Sequence, residues 1–403
     1  MKFIQTSEEE YKIGDNSENK KRNNSEKIDY FNKMYDKPWG KEYLAFQNSQ
    51  IGIWILHVKR DQETSLHCHF KKDTLLMPLS GSFKINLFHE YTLLNLLECL
   101  YIPKNTFHGI HAYAEDSILM EIEIYTEHIQ YTDKNDLLRI KDIYNRDKNK
   151  YETSALERVP NENEIMHFHD SAKYVLGNTE IVILKLNRLD ESLFKYEKLF
   201  LLEGCLYTNG AKITAGSSID LKNDISFLTE SITVFAVYNL HYKCMQKVIY
   251  SKSHLTDLLN LQKKDSCKIG LTCGCFDILH EGHIKNLKEC KKNCDSLFVC
   301  LSSDEQIRQL KGITRPVNSL LDRINMLINF EFVDKVILYE EIDNVLEIEL
   351  DNIMNIIEPY VWFKGSDYTK EDILKKHPSL KKIHLIHNVE GKSTTNIINK
   401  IKT

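Results

Sequence analysis

The sequence contains no uninterrupted apolar run of the ~18 residues that a membrane helix needs. Its opening residues, MKFIQTSEEEYKIGDNSENKK, hold no apolar core of the signal-peptide kind. A membrane-spanning or exported protein is therefore not expected; a cytoplasmic one is. No sign of charge dominates, since 53 basic against 58 acidic side chains leave a net charge of -5. That balance makes no whole-chain electrostatic case for nucleic acid. The ten cysteines are scattered, with no export signal beside them, and read as reduced thiols. Cys290 and Cys294 stand one helical turn apart without a second pair at ligand spacing, so they read as helix residues and not as a zinc site. Apolar residues at 42% and charged residues at 28% are those of an ordinary globular protein.

Hydrophobic patterning divides the chain. Residues 1–30 are polar and predict a flexible leader. Residues 31–150 carry short β-rich runs such as IGIWILHVK, SFKINLF and SILMEIEIY, separated by turn signals, and close with a helix over about 133–150. That spacing predicts a barrel or sandwich. Residues 151–250 return to β patterning around a strong Asn209-Gly210 hairpin signal. Residues 251–266 read as a connecting helix and linker. From 267 to 403 strand and helix patterns alternate, which predicts a parallel, doubly wound α/β domain. The fold class is thus multidomain, with all-β barrel units followed by a Rossmann-like α/β domain.

The residues LTCGCFDILHEGH, 271–283, carry the chemistry. A strand ends near Cys273-Gly274, a tight turn follows, and His280 and His283 open a helix. Two imidazoles then stand beside the positive end of a helix, where free N–H groups suit a phosphate. Gly282 lets a phosphate approach the backbone. Imidazole N–H groups aimed at phosphate oxygens would stabilise charge on a phosphorus under attack. The plainer alternative is a pair of histidines capping the helix or binding a metal.

The TxGxFDxxHxGH pattern resembles the cytidylyltransferase-like nucleotidylyltransferases, most of all the adenylyltransferase domain of bifunctional ADP-heptose synthases. Further pieces occur in matching order: LSSDEQIRQLKG (301–312), RPVNSLLDRINML (315–327), VWFKGSDY (361–368) and EGKSTTNIINKI (390–401). The resemblance implies that His280, His283 and Lys311 serve the triphosphate. It also implies that Thr272, Cys273, Gly274, Phe276, Asp277 and Gly282 line the nucleotide pocket, with Asp277 orienting its loop. Arg315, Lys364, Gly365, Asp367, Ser393, Thr394 and Thr395 complete the nucleotide set. Arg323 reads equally as a phosphate clamp or as a structural ion pair. The implied reaction is attack by a sugar-phosphate or polyol-phosphate oxygen on the α-phosphorus of a nucleoside triphosphate, ATP or CTP, with Mg²⁺. Pyrophosphate leaves, and the product is an activated precursor for surface-glycan synthesis. The P-loop look-alike Gly391-Lys392-Ser393 lacks its first glycine, replaced by Ile386.

In the β half, His67-Cys68-His69 and the later His108, with His111 near it, suggest a facial metal site inside a barrel. With KPWG at 37–40, this part resembles the cupins found among mannose-6-phosphate-isomerase-like proteins. That resemblance implies a divalent transition metal on His67, His69 and His108. The chain departs from the cupin pattern in two places: Asp73 and Thr74 stand where a glutamate is usual, and Asn105 where a glycine is. A sugar-binding or purely structural barrel is the alternative. The second β unit, with His167 and His169 at its start, reads as a degenerate, metal-free cupin. Barrels with open edges and isolated nucleotidylyltransferase domains pair, so a homodimer is expected. The alternative function is a cupin sugar-phosphate isomerase or sugar sensor carrying a non-catalytic nucleotide-binding domain.

Overall fold

The computed structural model describes residues 2–16, 29–115, 117–125, 131–146, 156–158, 160, 166–168, 173–176, 179–187, 193, 196, 198–208, 211–219, 231–238, 247–250, 252–262, 267–338, 353–365, 369–376, 380, 382–386, 394, 397–398 and 400. The chain forms two compact units, Met1–Tyr242 and Lys243–Thr403. Among the described residues no helix is long and apolar enough to cross a membrane.

The first unit begins with thirteen strands: β1 (Lys2–Phe3), β2 (Met34–Lys37), β3 (Gly40–Gln47), β4 (Ile51–Val58), β5 (Leu66–Cys68), β6 (Lys72–Ser80), β7 (Phe83–Leu87), β8 (Tyr91–Leu94), β9 (Leu100–Ile102), β10 (His108–Ala112), β11 (Ser117–Tyr125), β12 (Leu138–Lys141) and β13 (Leu156–Arg158). They form an eight-stranded sheet ordered β1-β9-β6-β11-β4-β3-β2-β13 and a five-stranded sheet ordered β12-β5-β10-β7-β8. Period-2 alternation drives the pairing. In β7, Phe83, Ile85 and Leu87 are buried while Lys84 and Asn86 are not. Side chains of both sheets, Trp54, Leu76 and Leu119 with Phe83, Ile85 and Ile110, form one core. Truncating Trp54 or Phe83 there would cost about 3–5 kcal/mol.

Two expectations fail in this unit. The flexible leader is in part ordered: Lys2 and Phe3 pair with Leu100 and Tyr101, and α1 (Glu8–Asp15) starts from a capping box between Ser7 and Glu10. The buried Glu10 carboxylate also accepts from the Phe107 backbone N–H at 2.8 Å. Low hydrophobicity concealed a segment held by backbone pairing and one carboxylate. Nor do the described residues of the segment expected to close the barrel, 133–146, form a helix. Asp136 turns the chain by accepting from the Phe70 and Lys71 N–H groups, and residues 138–141 then pair with β5.

The rest of this unit comprises β14 (Lys173–Leu176), β15 (Thr179–Leu186), β16 (Lys198–Glu203), β17 (Leu206–Thr208), β18 (Ala211–Ile213), β19 (Ser218–Ile219) and β20 (Ile232–Tyr238). Five of these strands make a sheet ordered β14-β15-β20-β16-β19 over a core of Leu199, Leu201, Ile232 and Val234. The pairing of Thr208 with Ala211 leaves Asn209 and Gly210, themselves outside the described residues, as a two-residue connection.

The second unit holds β21 (Val248–Ile249), α2 (Lys252–Gln262), β22 (Ile269–Gly274), α3 (Glu281–Lys292), β23 (Ser296–Leu301), α4 (Asp304–Lys311), α5 (Leu320–Ile328), β24 (Lys335–Leu338), β25 (Val361–Gly365), α6 (Lys370–Lys376) and β26 (Ile383–Ile386). Its six strands run β21-β24-β23-β22-β25-β26, every neighbouring pair parallel. The segment read as a linker is therefore part of this domain. Val248 and Ile249 form its edge strand, and α2 buries Leu255 and Leu259 against Ile337 and Trp362. The opposite face of the sheet packs Leu287, Leu327 and Ile328. Strand order reverses between β22 and β25. In open parallel sheets the crevice at the strand carboxyl ends of such a reversal is where ligands bind.

Candidate active site

At that reversal, β22 ends in Gly274 and the chain turns through Phe276, whose φ of 46° is positive. His280 takes the N-cap position of α3 with extended backbone, but its side chain makes no capping bond. Capping therefore does not explain this histidine. The His280 and His283 rings stack at 3.9 Å, and Phe276 lies 5.4 Å from His283. Burial, then the neighbouring His280, lowers the His283 pKa to about 4, so this imidazole is neutral at pH 7. Its Nδ1 is buried with no hydrogen-bond partner among the described residues. Gly282, between the two histidines in sequence, is buried.

Asp277 is 1% exposed, and its carboxylate accepts from the Val317 N–H at 2.8 Å, the Asn318 N–H at 2.9 Å and the Arg315 Nε. Burial opposes its charge, but the bonds from Asn318, Val317 and Arg315 together hold its pKa below the usual carboxylate range. Asp277 thus ties the turn before the histidines to the loop 315–318.

Arg323 is fully buried, donating Nη1 to the carbonyls of Cys275 and Ser302 and Nη2 to Asp304. Of its two readings the structural one holds, for the side chain is buried and both Nη nitrogens are engaged, while Nε has no partner among the described residues. The Arg315 Nε is likewise engaged by Asp277. Thr272 donates to the Phe363 carbonyl at 3.5 Å, joining β22 to β25. Cys273 is the register partner of Cys300 on β23, and this thiol neighbour, followed by Lys364, lowers the Cys273 pKa. Lys364 and Gly365 end β25, with Lys364 Nζ 4.6 Å from the Trp362 ring. Thr394 donates to the Ile278 carbonyl, which brings this residue to the histidine turn. Lys311 ends α4 as an exposed residue, and no hydrogen bond or ion pair among the described residues joins it to the histidines. Asp367, Ser393 and Thr395 lie outside the described residues.

The barrel unit contains a second constellation. His67 and His108 are register partners on β5 and β10. With His69, their ligand atoms lie within 4.8 Å of one another. Each ring uses Nδ1 on a backbone carbonyl: His67 to Ser65 at 2.8 Å, His69 to Asp136 at 2.6 Å and His108 to Thr106 at 3.0 Å. This fixes the proton on Nδ1 and leaves Nε2 as the lone-pair nitrogen, the arrangement that orients metal-ligating histidines. His69 Nε2 is buried with no partner among the described residues. Burial lowers all three pKa values, that of His108 to about 4. The donor set fits a divalent transition metal.

His111 stands apart, near Asp61 and Glu63. Asp73 points away, accepting from Tyr101 and Lys104. Asn105, where the cupin pattern has glycine, adopts a φ of 65°, which asparagine tolerates. His167 pairs with Asn32, and His169 lies outside the described residues. Sequence reasoning missed the barrel's interior charges, Glu42, Glu121, Glu123, Lys72 and Lys134. The alternation of β11 signalled only Glu121 and Glu123 among them.

Residues 271–400 match the cytidylyltransferase-like family, and residues 23–142 match the mannose-6-phosphate isomerase C-terminal family. Bifunctional protein HldE of Campylobacter fetus is 43% identical over 148 residues, 37% of this chain and 31% of that protein. The HldE protein of Campylobacter jejuni is 43% identical over 157 residues, 39% and 32% of the two chains. The chain spans about a third of the length of these curated relatives. A solved lipopolysaccharide core biosynthesis protein of Thermoplasma volcanium is 25% identical and covers 32% of this chain and 100% of that one, with a TM-score of 0.27.

Proposed function

From a chain that joins a cupin-like, mannose-6-phosphate-isomerase-like region to a C-terminal cytidylyltransferase-like nucleotidyltransferase domain, we propose an enzyme that transfers a nucleotidyl group from ATP or CTP to a sugar phosphate or polyol phosphate. The product is an activated precursor for surface-glycan synthesis. The observation that carries this reading is the stacked His280–His283 pair at the start of α3, beside the strand-order reversal. An oxygen of the acceptor phosphate attacks the α-phosphorus in line. Its new P–O bond forms as the bond to the β-phosphate oxygen breaks, and pyrophosphate leaves.

Mg²⁺, bound with the triphosphate, would offset part of its charge. The neutral His283 donates N–H to a phosphate oxygen where negative charge grows, and His280 flanks the same group. The positive end of α3 adds to both. Asp277 fixes the turn that presents the histidines, Thr394 is held on the Ile278 carbonyl, and Lys311, Lys364 and the Ser393 and Thr395 hydroxyls engage the remaining phosphates. Catalysis then rests on positioning and charge. In the barrel, His67, His69 and His108 would hold a divalent transition metal, which supplies Lewis acidity when bound.

Pyrophosphate release should be measured with ATP and CTP against a panel including heptose 1-phosphate and glycerol 3-phosphate. One nucleotide–acceptor pair should turn over. His280→Ala and His283→Ala should each lower kcat/KM about 100–1000-fold while the protein stays folded. Near-normal turnover in both variants overturns the assignment.

A further inference from the structure

All nine cysteines among the described residues are free, and two of them, Cys273 and Cys300, are register partners on the neighbouring parallel strands β22 and β23. Both side chains join the core that Leu271, Phe298 and Trp362 form on one face of the sheet. Cys300 is 3% exposed, whereas Cys273 is half-buried at the carboxyl end of its strand. One thiol is reachable and the other is shielded beside it. Neighbouring strands lie ~4.8 Å apart, inside the ~4.4–6.8 Å between Cα atoms that a disulfide spans. Cys290 and Cys294 offer no such pair, since the Cys294 thiol donates to the Cys290 carbonyl.

The surroundings select Cys273 as the first sulfur to react. The Cys300 thiol donates to it and lowers its pKa; burial opposes this, and Lys364 and the Trp362 indole add to the lowering. The same contact, together with burial, raises the Cys300 thiol well above its usual range. In such a pairing one sulfur attacks an oxidant and the other resolves the product. The strand ends are also coupled to the histidine turn. Just beyond the pair, the Ser302 N–H donates to the Gly274 carbonyl at 3.2 Å. Arg323 Nη1 holds the Cys275 and Ser302 carbonyls together, at 2.8 and 2.7 Å. A change in the spacing of Cys273 and Cys300 is thus carried into residues 274–280.

We propose that Cys273 and Cys300 are a peroxide-sensitive pair whose closure to a disulfide switches off the site of the second unit. The Cys273 thiolate attacks one oxygen of hydrogen peroxide, the O–O bond breaks, hydroxide leaves and a sulfenic acid forms. The Cys300 sulfur then attacks the Cys273 sulfur. An S–S bond forms as the S–O bond breaks, and the departing hydroxide takes up the Cys300 proton as water. The first hydroxide takes up the proton that Cys273 had released, so two thiols lose two electrons and peroxide becomes two waters. Bridged Cβ atoms stand ~3.8 Å apart, about 1 Å closer than the strand spacing. A displacement of that size at a reacting group costs about 100-fold in rate, and Arg323 transmits it to the turn that presents His280 and His283. The switching half rests on the nucleotidyl-transfer reading; formation of the bond does not.

The full chain, reduced and then freed of reductant, is treated with hydrogen peroxide and its digest mapped by mass spectrometry, with pyrophosphate release followed in parallel. Wild type should yield a peptide pair joined through Cys273 and Cys300, lose about 100-fold in pyrophosphate release, and regain its thiols and its rate on addition of dithiothreitol. Cys300→Ala should match wild type when reduced, form no bridge, and leave on Cys273 a sulfenic acid that dimedone traps. Treated wild type with both thiols free overturns the proposal, as does a bridge from Cys273 to Cys275 in its place. A bridge that leaves pyrophosphate release unchanged overturns the switch. So does peroxide inactivation of Cys300→Ala equal to that of wild type. Loss and recovery in wild type need no variant, so poor folding of Cys300→Ala does not shelter the proposal. Because the mapping needs no turnover, its failure is distinguishable from failure of the nucleotidyl-transfer reading.

Discussion

Asp277→Ala isolates what holds the histidine turn in place. The wild-type carboxylate accepts from two backbone N–H groups and from Arg315. The side chain is 1% exposed, so water cannot replace those bonds without opening the turn. Each stranded N–H costs roughly 1–3 kcal/mol, and removing one partner of a buried ion pair costs about 3–5 kcal/mol. These costs overlap, because they concern the same oxygens, so about 4 kcal/mol is the expected loss. At roughly 2–4 °C per kcal/mol for a domain of this size, the melting transition of the second unit should fall by about 8–16 °C. Calorimetry on the full chain reads this, and the transition of the barrel unit should not move. The conservative variant separates positioning from proton transfer. Asp277→Asn keeps one acceptor oxygen but turns an amide N–H₂ toward other donors, so stability and kcat should fall together and recover together on cooling. A normal melting transition with abolished turnover in Asp277→Asn would refute the positioning role and make Asp277 a proton carrier.

The histidine turn was legible because strand, turn and helix start lie within contiguous residues. Identity and spacing alone place His280 and His283 at a strand's carboxyl end. The latch beneath them was not, since Asp277 and Asn318 are 41 residues apart and nothing local announces their bond. For the same reason Arg323 read equally as a phosphate clamp, and only its burial against the Cys275 and Ser302 carbonyls decides the matter. In the barrel, His67 and His69 were visible from their alternate positions. Their orientation comes from carbonyls that sequence does not reveal, Asp136 lying 67 residues from His69. Glu121 belongs to no motif, because its meaning depends on which groups β11 faces across the interior. The leader was misread because few apolar residues hold it; its anchors are backbone pairing to β9 and the Glu10 bond to Phe107.

Glu10→Ala should therefore destabilise the barrel unit by about 1–3 kcal/mol, the cost of a stranded buried N–H at Phe107, and leave the second unit's transition in place. Equal melting of variant and wild type would mean that α1 is not anchored this way. Cys273→Ser should leave pyrophosphate release within a few-fold of wild type, since the proposed nucleotide site would engage the strand's backbone there; a loss of 100-fold or more in kcat/KM would make the thiol itself part of the site. The last prediction concerns pH. His254 is 3% exposed, and its Nδ1 accepts from the Tyr250 N–H, which requires the neutral ring. Burial, then Lys335, lowers its pKa from 6.5 to about 3. A proton therefore binds the unfolded chain below pH 6.5 but not the folded one until about pH 3. This histidine's contribution to stability is complete above 6.5 and declines as pH falls toward 3, by about 1.4 kcal/mol per unit. Between pH 7 and pH 5 that amounts to about 2 kcal/mol, read as a drop in the denaturation midpoint of the second unit. His254→Asn cannot take up that proton, so its stability should fall less steeply over the same range. Parallel declines in variant and wild type would show that the protons taken up on unfolding come from elsewhere in the domain.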